Sequence, residues 1–192
     1  MTVKRFIISF LAMSVLSALP TQSKAFDGNR KGFILGGGLG FGSVMFSITE
    51  KPFLDGLPSQ SRFSFMGSFK IGYAVNDHLE IYIGDKESLL TDILPTRAGL
   101  YVYGLLSVGV SYYFRNSTPT PYLSTGIGKS YLVAPLDRDL ESWFGNGLYA
   151  GIGLELEKHL GVEFELVYGK PESDNYIFEG LVPRLLFVLS GY

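Results

Sequence analysis

The stretch NGLYAGIGLELEKHLGVEFELVYG, residues 146–169, changes character at every second residue on both sides of a short polar break. Leu154, Leu156, Val162, Phe164 and Leu166 share one parity, while Glu155, Glu157, Glu163 and Glu165 share the other. A β-strand points successive side chains to opposite faces, whereas a helix would scatter these residues around its circumference. The segment therefore predicts two antiparallel strands, 146–157 and 160–169, joined by the tight turn Lys158-His159.

Six further segments alternate in the same way. Residues 33–46 place Phe33, Leu35, Leu39, Phe41 and Met45 opposite Gly36, Gly38, Gly40 and Gly42. Residues 62–74 set Phe63, Phe65, Phe69, Ile71 and Tyr73 against Ser64, Ser68, Lys70 and Gly72. In 79–84, Leu79, Ile81 and Ile83 oppose Glu80 and Tyr82, and in 99–115 Val102, Leu106, Val108, Val110, Tyr112 and Phe114 oppose Tyr101, Tyr103, Ser107, Gly109 and Ser111. Segments 121–133 and 179–192 complete a set of eight strands. Their connections alternate in length: 75–78, 116–120 and 158–159 are turns, whereas 47–61, 85–98, 134–145 and 170–178 are longer polar loops. Four long loops then share one end of a closed up-and-down barrel, and the turns and both termini share the other, the asymmetry of a bacterial outer-membrane barrel.

Composition agrees with this topology. The 192 residues are 46% hydrophobic and 18% charged, with 24 Gly, 12 Tyr and 15 Phe. Mean hydropathy is +0.22. Past the N-terminus no run approaches the roughly 20 apolar residues of a membrane helix, so the apolar content is dispersed over strands. Which face is the inside follows from side-chain size. The polar face is largely Gly, Ser and Tyr, a poor solvated coat but a fitting fill for a narrow eight-stranded lumen. The other face carries more Phe, Leu, Val and Ile than such a lumen could hold, so it should meet lipid.

The first 25 residues stand apart. Lys4 and Arg5 give a cationic start, Phe6 to Leu19 an apolar run, and Ser23-Lys24-Ala25 a small-x-small site. This predicts a secretory signal peptide, 1–25, cleaved to leave a barrel domain, 26–192. Cleavage removes three of 16 basic residues and no acid, leaving 13 against 18 and a formal charge of −5. Nucleic acid is not an expected partner. With no cysteine there is no disulfide, thiol nucleophile, Cys-based zinc site or acylated lipoprotein anchor.

The opening GFILGGGLGFG, the PYLSTGIG of the fifth strand, the HLGVEFELVYG arm and the aromatic Tyr192 together resemble the small eight-stranded bacterial outer-membrane β-barrels, the transmembrane domain of outer-membrane protein A and its short relatives. The resemblance spans residues 26–192. It implies residence in the bacterial outer membrane after export through the periplasm, contact with lipid and lipopolysaccharide, and assembly by an insertion machinery that recognises a C-terminal strand ending in an aromatic. The family's terminal strand prefers Phe preceded by alternate apolar residues. Here the series is Tyr192, Ser190, Val188, Leu186 and Arg184, which leaves open the face that the last strand turns to lipid.

Motifs that suggest other chemistry do not hold their patterns. GGGLGFG (36–42) repeats Gly with period 2 and has Phe41 where a dinucleotide loop needs Gly; GIGKS (126–130) has Leu123 where a phosphate loop needs Gly. His78 and His159, the two histidines, fall in short turns as exposed turn residues. Barrels of this kind that modify lipids use a His with a Ser and a carboxylate near the outer leaflet, the opposite end. No catalytic residue, metal or cofactor is expected. Trp143 and Phe144, beside Asp137, Arg138, Asp139 and Glu141, read as an interfacial aromatic girdle, or else as a binding loop tip.

The charged lumen face makes the boldest expectation. Glu155 and Glu163 should lie nearly opposite across the 158–159 turn, with Glu165 one step higher. Crowded carboxylates need a cation, and Arg184, on the strand beside them, is the candidate, with Lys70 supplying a second charge from across the barrel. The cluster of Lys70, Glu155, Glu163, Glu165 and Arg184 would fix register and plug the lumen. It requires Leu185, Phe187 and Leu189 to face lipid, against the series ending at Tyr192, unless a bulge intervenes. The resulting reading is a structural or surface-interaction membrane protein displaying four outer loops. A narrow pore, a lipid-modifying enzyme and a soluble ligand-binding barrel are the alternatives.

Overall fold

The computed structural model describes residues 29–51, 59–91, 93, 99–137 and 141–192, so the signal peptide expected at 1–25 lies outside the described residues. Eight strands follow in order: β1 (Gly32–Glu50), β2 (Gln60–Ala74), β3 (Leu79–Thr91), β4 (Leu100–Tyr113), β5 (Thr120–Val133), β6 (Trp143–Glu157), β7 (Leu160–Glu172) and β8 (Tyr176–Gly191). Each pairs antiparallel with its sequence neighbours, and β1 pairs with β8 to close the barrel. Closure leaves no strand edge unpaired, the condition for a sheet to cross a bilayer.

The register fixes the shape. One row of ladder partners runs Gly37, Phe69, Asp85, Leu106, Lys129, Asn146, Lys170. It continues through the Gly169–Gly180 step and returns to β1 at Ser47, ten residues beyond Gly37. A stagger of that size over eight strands tilts them by about 40°. The row therefore climbs toward the loop end as it passes from β1 to β8.

The alternation read from the sequence places the side chains. Leu39, Phe65 and Ile127 are among the most exposed apolar residues, at 76%, 70% and 72%, and Phe164, Leu166, Phe187 and Leu189 point outward with them. Inward positions are small or carry rings laid over small neighbours. A Cβ on Gly126 would meet the Tyr149 ring at 2.5 Å and one on Gly169 the Tyr103 hydroxyl at 2.6 Å, so these glycines make room for the tyrosines.

Four expectations need correction. First, the strands run on into the segments read as loops: β3 continues to Thr91, and only Ser173–Asn175 separate β7 from β8. Charges at 85–87 suggested a loop, yet the period-2 pattern persists through them; three outer connections are long, and the fourth is a tight turn. Second, Glu157 leaves the lumen face. A bulge between Glu155 and Glu157 breaks the alternation at the turn and exposes Glu157. Third, Trp143 is buried at the start of β6 and stacks on Tyr176, with centroids 5.8 Å apart; it is its neighbour Phe144 that faces out. Fourth, the turn histidines are half-buried. Nδ1 of His78 lies 2.7 Å from the Tyr113 carbonyl and Nδ1 of His159 lies 2.8 Å from that of Ser190, contacts that tie the two turns to the ends of β4 and β8.

Candidate functional site in the barrel lumen

Polar side chains fill the lumen from the short-turn mouth to mid-height in successive tiers. At the mouth, the Arg30 guanidinium donates to the carbonyls of Asp77 (3.1 Å) and Arg115 (3.0 Å) in two different turns and pairs with the Glu155 carboxylate. Its cationic plane sits 4.4 Å over the Tyr113 ring. Tyr192 donates to the other Glu155 oxygen at 2.5 Å. Burial, and then the hydrogen bond to Glu155, raise the Tyr192 phenol above its ordinary value and keep it a donor.

Above this tier, Ser124 and Tyr122 hydroxyls donate to Glu163, the latter at 3.2 Å, and Lys70 Nζ donates to Glu80 at 2.8 Å. Next comes a bridge of two phenols, Tyr82 and Tyr149, 2.7 Å apart. Lys86 crosses the Tyr149 ring at 4.0 Å and ends on Glu165. Arg184 approaches the same carboxylate from β8, Nε to Oε2 3.0 Å, an ion-pair contact without an aligned N–H, while Nη2 donates to the Gly67 carbonyl at 2.8 Å. Glu165 and Arg184 are essentially inaccessible to bulk solvent, at 0% and 1% exposure.

These tiers place each residue of the anticipated cluster. Glu165 and Arg184 are ladder partners and in ion-pair contact. Lys70 faces the lumen but pairs with Glu80, the nearest carboxylate across the β2–β3 hairpin, rather than with Glu163 or Glu165. Glu155 is not opposite Glu163: Gly161 faces Glu155 and Gly153 faces Glu163, because the turn bulge shifts the register. Glu155 thus lies apart at the mouth, while Glu163 and Glu165, two residues apart on β7, stay in side-chain contact over Gly151. Sequence reasoning missed Arg30, which precedes the first strand; Lys86, hidden in a segment read as loop; and Glu80, recognised as inward but not as a pair. No bulge interrupts β8, so the whole series Arg184, Leu186, Val188, Ser190 and Tyr192 faces inward.

Toward the loop end the lumen changes character. Val44, Phe46, Ile48, Met66, Leu90, Leu105, Leu132, Val167, Phe178 and Val182 are all buried there. Phe46 stacks on Phe178 at 5.1 Å, and Tyr103 closes on the same ring at 5.1 Å. The described lumen is therefore charged and matched below and apolar above.

Comparison with known proteins identifies the architecture. The family model for the outer membrane protein beta-barrel domain matches residues 8–177. The structure of Neisserial surface protein A aligns with a TM-score of 0.53 at 14% identity, covering 84% of this chain and 97% of that one. Ail, the attachment invasion locus protein of Yersinia pestis, gives 0.45 at 11% identity, covering 83% and 99%. The N-terminal β-barrel domain of Pseudomonas aeruginosa OprF gives 0.42 at 14%, covering 83% and 98%. With Neisserial surface protein A, at 14% identity, the likeness is one of fold alone. No curated protein matches the chain. The chain belongs to the outer membrane protein beta-barrel domain family.

Proposed function

We propose that this member of the outer-membrane β-barrel family is a sealed, non-catalytic wall anchor that carries its long connections, 51–59, 92–99 and 134–142, to the cell surface for interaction. Residence in the outer membrane sets the short turns in the periplasm and the loops outside. The observation that carries the reading is the two-part lumen of the described residues, apolar rings above and paired charges below. A cavity of about 90 Å³ at the periplasmic mouth, lined by Arg30, Asp77, Lys158 and Tyr192, is smaller than the roughly 300 Å³ that small-ligand sites begin at. Both histidines sit at that same end, away from the outer leaflet where lipid chemistry would occur.

Planar-bilayer recording of the reconstituted protein tests the seal. No stepwise conductance is expected, and discrete openings would favour a pore. Deleting the three long connections one at a time and scoring binding to host surface components tests the display role; binding that survives every deletion would remove it.

The reading also includes export and assembly. Residues 1–25 act as a cleaved signal peptide, and β8 with the following Tyr192 is presented to the insertion machinery before its aromatic turns inward. Mass measurement of the membrane-extracted protein is expected to give a chain starting at Phe26. A mass that retains Met1 would exclude cleavage.

A further inference from the structure

On the lipid-facing wall, β3 breaks the apolar belt. Asp85 and Glu87 follow Ile81 and Ile83 on the outward face and precede Leu89, and the flanking outward residues Phe65, Phe69, Val102 and Leu106 are apolar. Asp85 thus has an apolar side chain on each neighbouring strand, Phe69 and Leu106, and Glu87 lies between Gly67 and Gly104, with Leu89 above it on the same face. Tyr131 supplies their one described side-chain donor, at 2.9 and 3.1 Å to Asp85 and 3.2 Å to Glu87. It reaches them across β4 because Gly104, its ladder partner, has no side chain in the path. A neutral phenol does not offset two carboxylates in a bilayer, where ionisable groups on an exposed wall call for a charged partner.

The chain carries the complementary charge on the same wall. Lys129 is outward on β5, exposed, two strands along the row that contains Asp85; its Nζ donates to the neutral Asn146 amide oxygen at 2.8 Å and is in no described ion pair. Two steps along the tilted row climb about 6 Å, and the two residues from Asp85 to Glu87 climb about 5 Å, so Glu87 and Lys129 lie at nearly one depth. Between them runs β4, with Gly104 covered by the flat Tyr131 ring and Leu106 and Val108 outward. A two-fold axis along the membrane normal, passing in front of β4, sets β3 of one copy against β5 of the other. That operation brings acid to base twice, the self-complementarity a two-fold interface requires.

We infer that the β3–β4–β5 wall is a dimerisation surface, occupied by a second copy of this chain, with Asp85 and Glu87 of each copy facing Lys129 of the other. The inference does not depend on the proposed surface role. Leu106 lies close to the axis and meets its own symmetry mate. Since the sequence has no cysteine, Leu106→Cys creates the sole thiol.

The test is cross-linking of the mature protein in phosphatidylcholine vesicles with a short bis-maleimide, with Leu166→Cys on β7 as the off-interface control and heat-modified gel mobility confirming folding. Leu106→Cys is expected to cross-link and Leu166→Cys not. In the Leu106→Cys background, Glu87→Lys or Lys129→Glu should each cut the yield about tenfold, and the two together should restore it. Equal cross-linking of both thiols, or folded single variants that dimerise undiminished, would overturn the inference. So would loss of the wild-type dimer on adding EDTA, which would assign the carboxylates to a divalent cation, or failure of the double reversal to recover.

Discussion

Glu165→Ala is expected to lower the stability of the folded barrel by about 3–5 kcal/mol, the cost of leaving buried charge without a counter-charge. Glu165 is the shared anion of Lys86 and Arg184, and all three are buried. Truncating it takes the shared carboxylate from two buried cations, leaving Glu163 as the next carboxylate and the Gly67 carbonyl as a described acceptor for Arg184. Urea unfolding from vesicles, followed by the fluorescence of Trp143, the single tryptophan, measures the loss. A companion variant separates the two meanings of a buried pair. Replacing Lys86 and Arg184 by Met and Glu165 by Leu removes every charge of the tier at similar volume, and it should return most of the lost stability. If Glu165→Ala unfolds at the wild-type midpoint, the tier is hydrated and the lumen is not sealed at that height.

Much of this architecture was legible from parity. Phe164 and Leu166 out with Glu163 and Glu165 in follows from strand geometry alone, and a closed wall of such strands has one stable orientation in lipid. The partners of the charges were less legible because pairing in a lumen is set by height, and height depends on stagger. Lys70 has lumen-face parity in the sequence, but its partner Glu80 follows only from the β2–β3 register. Lys86 was lost because polarity at 85–87 mimics a loop; what distinguishes it is alternation that continues through Ser88, Leu89 and Leu90. Arg184 shows the opposite case. A terminal series ending in an aromatic argued for lipid, whereas the need of Glu165 for a counter-charge argued for the lumen, and the buried-charge term is the larger of the two.

Leu166→Arg should cost about 2–4 kcal/mol, because Leu166 faces lipid near the middle of the belt and an arginine there has no partner. Its ladder neighbours are Ala150 on β6 and Pro183 on β8, neither of which can pair with a guanidinium. The nearest carboxylates along the chain, Glu165 and Glu163, are on the other side of the sheet and already engaged. Snorkelling is limited as well: Leu166 stands six residues into β7, with apolar Phe164 toward one interface and Tyr168 toward the other. Unfolding from vesicles, or the yield of heat-modifiable folded protein, reads the effect. Measured on the monomer, at low protein-to-lipid ratio, the same substitution at Leu106, beside the carboxylates of β3, should cost clearly less, since Asp85 is its ladder partner on the same outward face. Equal losses at the two positions would mean that Asp85 is not available to a cation on that wall. The contrast therefore measures, in one residue type and one membrane, how far the electrostatics of the β3–β5 wall differ from those of an ordinary lipid-facing strand.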